Sequence, residues 1–131
     1  MLTVYNLTRQ AWLAKELQVA DTFFARLVGL IGKGSVSPDT GLWIKNCNSV
    51  HTFGMRFPID LVFLNEWHCV VKVMEAMQPF RVIWPVRQAA SVIELPAYTV
   101  CRSQTQEGDL LDLSAVLADA AEPDRMAVGV C

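Results

Sequence analysis

The chain has 131 residues, of which 53% are hydrophobic, and carries a formal net charge of −2 at pH 7. A chain of this size forms one domain and buries roughly two-thirds of its unfolded surface. The absence of any basic run argues against a nucleic-acid surface, and no apolar run approaches the roughly 20 residues of a membrane-spanning helix.

Met1 to Asn6 lacks the basic start and long apolar core of an export leader, so the expected location is cytoplasmic. The four cysteines, Cys47, Cys69, Cys101 and Cys131, form no C-x-x-C pair. In a reducing compartment they read as free thiols. Residues 1–113 read as a single β-rich domain and 114–131 as an Ala-rich tail, partly helical.

Met1 to Leu7 reads as a first strand. Residues 12–20 have helical propensity but the length and flanks of a strand, and we read them as the second. Phe23, Phe24, Leu27, Leu30 and Ile31 then recur at three- and four-residue steps. That spacing predicts a packed amphipathic helix over 21–32, with Asp21 or Thr22 as its N-cap and Gly32 and Gly34 at its end. Leu42-Trp43-Ile44 is the next strand.

The stretch from Gly41 to Asn65 organises the chain. Ile59-Asp60-Leu61-Val62-Phe63-Leu64 is apolar on both faces except for Asp60, as expected of a strand covered on both sides. Residues 69–77 form a second strand that pairs with it as an antiparallel hairpin around the 65–68 turn. Gln78 to Gln88, with Phe80, Trp84, Pro79 and Pro85, reads as an irregular loop carrying aromatics. Ala90 to Leu95 is a strand halted at Pro96, which opens a short helix over 96–103. Leu110 to Leu113 is the last strand. The predicted fold is mainly β: a single-domain antiparallel sandwich or rolled barrel with one packed amphipathic helix.

Asp60 and Glu94 are acids inside apolar strands, and a buried carboxylate must find a cation or several donors. Arg26, Lys45, Arg56, Arg81 and Arg87 are the cations within reach of such a site. Two readings follow. In one, Arg26, Asp60 and Glu94 form an ion-pair network that ties helix to sheet. In the other, Arg26, Lys45, His51, Arg56, Asp60 and Glu94 line a pocket for a small polar ligand. Cys47, His51 and Met55 offer soft ligands for a metal, or a nucleophile and base for an enzyme, although their spacing matches no closed zinc motif. Phe80, Trp84 and the prolines around them offer a hydrophobic surface for a partner.

Several segments resemble the bacterial and archaeal family called domain of unknown function 192. They are Arg26-Leu27-Val28-Gly29-Leu30, Gly41-Leu42-Trp43-Ile44, His51-Thr52-Phe53-Gly54-Met55, Pro58-Ile59-Asp60, Val92-Ile93-Glu94-Leu95-Pro96 and Gly108-Asp109. The resemblance implies a compact, mainly β domain and implies no activity. The functional expectation is therefore a non-enzymatic accessory domain that binds a small polar ligand or a protein, monomeric or weakly dimeric, with no cofactor. The alternative is a metal carrier or enzyme using Cys47, His51 and Met55.

Overall fold

The computed structural model describes residues 2–20, 38–52, 55 and 57–115. Strands β1 (Leu2–Asn6), β2 (Ala11–Ala20), β3 (Thr40–Lys45), β4 (Val50–His51), β5 (Ile59–Leu64), β6 (Val70–Met77), β7 (Val82–Ile83), β8 (Ser91–Pro96) and β9 (Leu111–Ala115) surround one short helix, α1 (Thr99–Ser103). Seven strands form a sheet in the order β6-β5-β8-β3-β2-β1-β9, while β4 and β7 pair as a separate ribbon. Every pairing is antiparallel except β2 with β3. The sheet is thus mixed, because the chain re-enters beside β2 in the same direction after residues 21–39.

The sheet curls until its two edges touch. A bridge joins Cys69 to Leu110, just ahead of the edge strands β6 and β9. The Val70 N–H donates to the Asp109 carbonyl at 2.8 Å, and the Leu111 N–H donates to the His68 carbonyl at 3.0 Å. This half-barrel is the mainly β single-domain fold expected from the pattern of the chain.

Two apolar clusters lie on opposite faces of the sheet. Val4, Leu13, Leu17, Val62, Leu64, Ile93, Leu95 and Val100 fill the inside of the curl. Leu42, Ile44, Ile59, Leu61, Phe63 and Val92 face outward and are covered by Val50, Met55 and Ile83. The alternation of β5 explains how one strand serves both clusters. All six of its residues are buried, as a continuously apolar run requires. Gly41 has a packing reason: an added Cβ would stand 2.8 Å from Leu95 Cδ2 and 3.2 Å from the Glu94 carbonyl oxygen.

The strand expected over 12–20 is β2 (Ala11–Ala20), and the 59–77 hairpin is present as expected. The short helix starts later than expected. Pro96 ends β8, and α1 begins at Thr99 after Tyr98 takes a left-handed conformation with φ 74°. Residues 78–88 are not wholly irregular, since they contain β7. The expected amphipathic helix over 21–32 and the tail beyond 115 lie outside the described residues. Cys47 and Cys101 are free thiols, but Cys69 is disulfide-bonded, which corrects the expectation of four free thiols.

Candidate functional site

Asp60 is 0% exposed and points into the curl with Val62 and Leu64. Its partners among the described residues are two backbone amides. The Ala76 N–H donates to Oδ1 and the Val100 N–H to Oδ2, each at 2.8 Å. Both donors exist because the local backbone is irregular. The β5–β6 register shifts between Ile59 and Leu61, and Ala76 sits in that bulge with φ 49°. Helix α1 has no side-chain N-cap of its own, and its early N–H groups lack intrahelical acceptors. Asp60 supplies one from 40 residues away. The carboxylate therefore clasps the bulge and the helix α1 to β5; the expected ion pair with Arg26 involves a residue outside the described ones.

Glu94 lies on the other face. It pairs with Leu42 on β3 and Leu61 on β5, whereas Asp60 pairs with Leu95. One residue of offset reverses the direction of a strand side chain, so the two acids are separated by the sheet. Glu94 is buried on the face lined by Leu61, Val92 and Ile44.

The other sequence-derived candidates go elsewhere. Lys45 shares the inner face with Trp43, its ammonium 4.9 Å from the indole centroid. His51 pairs with Val82 in the ribbon, while Val50 and Ile83 pack inward. It therefore stands on the outward side of the ribbon. Met55 is buried in the outer cluster as a core residue. The Cys47 thiol donates to the Ser49 carbonyl at 2.8 Å and borders an open hollow of about 440 Å³ with Asn46, Asn48, Ser49, Ala89 and Ala90. Arg26 and Arg56 lie outside the described residues. Among the described residues, the register places Asp60 and Glu94 on opposite faces of the sheet. Among the described residues, no group of three or more His, Cys, Asp or Glu is placed to hold a metal.

Three features escaped the sequence reading. The first is the device that carries the aromatic arm over 78–88. Thr52 is buried, and its hydroxyl donates to the Gln78 carbonyl at 2.8 Å and accepts from the Arg81 N–H at 2.7 Å. Its backbone pairs with Arg81 and Phe80. At the far end, the Val86 N–H donates to the Asn48 carbonyl at 2.8 Å. Ile83 plugs the outer cluster and Val86 packs beside it. Between these anchors Phe80, Val82 and Trp84 are 69%, 55% and 80% exposed. The fold holds three apolar side chains in water by pinning the backbone beneath them.

The second is a polar knot below α1. Buried Asp109 accepts from Asn6 Nδ2 at 2.9 Å, from the Gln106 N–H at 3.0 Å and from Arg9 Nε at 3.1 Å. Asn6 also donates to Thr105 Oγ1 at 3.0 Å. The Gly108-Asp109 pair marked this place, but nothing in sequence linked it to Asn6. The third is His68, edge-on to Trp43 at 5.4 Å between ring centroids. Burial pushes its pKa below 6.5, Asp112 pulls it up, and Lys45 pushes it down.

These features define a small half-barrel domain with a fixed aromatic arm and an acid clasp. The chain belongs to the domain of unknown function 192 family, described as an uncharacterised ACR, whose model matches residues 5–113. Two solved structures share the fold. One, from Sinorhizobium meliloti and described as a putative transcription regulator, is 24% identical with a TM-score of 0.65, covering 74% of this chain and 80% of that one. The other, a protein of unknown function from Novosphingobium aromaticivorans, is 16% identical with a TM-score of 0.68, covering 85% and 82%. No curated protein matches the chain. No helix among the described residues is long and apolar enough to cross a membrane.

Proposed function

We propose that this chain is a non-enzymatic binding domain whose contact surface is the arm over 78–88. The observation that carries the reading is the outward display of Phe80, Val82 and Trp84 on a backbone tied down by Thr52. An exposed apolar patch with polar supports is the ordinary mark of an interaction surface. Asp60 has an architectural role in this account, as both its oxygens are engaged by backbone amides. Glu94 is read in the same way, from its burial in the middle of β8 between β3 and β5. Among the residues singled out for a small polar ligand, His51 keeps a functional place, because it stands beside Val82 on the outward side of the ribbon.

The test is a photo-crosslinking amino acid placed at position 84 in the native cell, with position 67 as the control. Trp67 is 70% exposed on the β5–β6 turn, outside the arm. The reading expects a discrete adduct from 84 and none from 67. Absence of any adduct from 84 would sink it.

A further inference from the structure

We propose that the arm seats on an anionic lipid–water interface; this rests on the binding reading above and names the class of surface it meets. The charge of the arm is the first support. Arg81 and Arg87 are both exposed, and no acidic residue occurs between Glu75 and Glu94. The chain as a whole is acidic, at −2. Positive charge is thus gathered beside the three exposed apolar side chains, in the combination that suits a bilayer surface. Tryptophan and phenylalanine settle at the headgroup level, and arginine reaches anionic phosphates while its stem stays in apolar contact.

Shape is the second support. Phe80, Val82 and Trp84 are each more than half exposed, so they stand out from the surface rather than line a groove. Two hollows bordered by described residues are lined elsewhere. One is bordered by residues 46–49 with Ala89 and Ala90, the other by Pro38, Asp39, Arg102 and residues 96–99. A bilayer interface accepts exposed apolar side chains without needing complementary shape. A second copy of this chain fits less well, because a twofold contact sets the same patch against itself and would bring Arg81 and Arg87 towards their own copies. An acidic protein segment is the remaining occupant, and the experiment separates it.

The purified full chain is co-sedimented with vesicles of phosphatidylcholine alone and of phosphatidylcholine with about a third phosphatidylglycerol. The expected result is binding to the anionic vesicles only, weakening as ionic strength rises to physiological values. Replacing Arg81 and Arg87 together with Gln should weaken binding roughly 20- to 30-fold, at about fivefold per basic residue. Trp84→Ser should weaken it about tenfold or more. Because all three side chains are exposed, both variants should keep the wild-type melting temperature. Brominated acyl chains should quench tryptophan emission in the wild type and much less in Trp84→Phe. Equal binding to neutral and anionic vesicles overturns the proposal. No binding to either, with a protein adduct from position 84 in cells, overturns the lipid assignment and leaves the arm as a contact surface for protein. No binding and no adduct overturns both.

Discussion

Replacing Asp60 with Asn keeps the size of the side chain and removes one of its two acceptors. In the native chain the Ala76 and Val100 amides each donate to a separate carboxylate oxygen at 2.8 Å. The asparagine carbonyl satisfies one of them. The amide group then faces the other, donor against donor. A hydrogen bond to a charged acceptor contributes about 1.5–3 kcal/mol, and a buried donor left without a partner costs about 1–3 kcal/mol. These two effects overlap, so the expected loss is about 3 kcal/mol. For a domain of this size that is roughly 10 °C in melting temperature. Urea unfolding monitored by far-UV circular dichroism gives the size of the loss, and an unchanged m-value certifies that the native state is intact. Native-state hydrogen exchange then localises it: either the Ala76 or the Val100 amide should lose protection, with the middle of β8 changing only as global stability falls. A variant within about 0.5 kcal/mol of wild type, with both amides still protected, would refute the clasp and return Asp60 to the list of free ligand-binding groups.

Other substitutions probe the supports of the arm and the knot. Thr52→Val keeps the side-chain shape but removes the bonds to Gln78 and Arg81; a loss of about 2 kcal/mol is expected, with faster limited proteolysis between 79 and 84. Asp109→Ala should cost about 3 kcal/mol, since it strands Asn6 and the Gln106 N–H. Arg9→Ala should cost under about 1 kcal/mol, because its side chain is 34% exposed and the ion pair is screened; equal losses for the two in denaturant titrations would contradict the knot. For His68, burial lowers the folded pKa below the 6.5 of the free side chain. The folded state then binds fewer protons than the unfolded chain, so this contribution is present above pH 6.5 and declines as pH falls through 6.5 towards the folded pKa. His68→Asn, which tolerates the left-handed φ of 66° at that position, should flatten the acid limb of stability against pH, and an NMR titration of His68 should give a midpoint below 6.5.

What the sequence made legible was local. The six apolar residues of β5 announced a strand covered on both sides, and the hairpin with β6 followed from the 65–68 turn. The oddity of Asp60 was also visible, but its partners were not. Side-chain chemistry asked for a cation or several donors without saying which; the donors among the described residues are backbone amides freed by a bulge at Ala76 and by the uncapped start of α1. Backbone irregularities of that kind leave little trace in residue type. The same limit hid the separation of Asp60 from Glu94. Each was correctly placed in an apolar strand, yet the β5–β8 register decides whether two such acids share a face. Register is a long-range property here, as is the pairing of Asn6 with Asp109. The arm was legible as composition, in its prolines, aromatics and arginines. Its outward pose was not, because it depends on Thr52 reaching Gln78 and Arg81 across 26 and 29 residues.

The central claim is that Trp84 is held in water in the isolated chain and covered in the cell. Hydroxyl-radical footprinting of the purified protein and of the same protein in its native cells tests this, with Trp67, itself 70% exposed, as the internal standard. The account predicts that both tryptophans oxidise rapidly in the purified chain and that only Trp84 becomes protected in cells. Equal oxidation of Trp84 and Trp67 in both settings would contradict it.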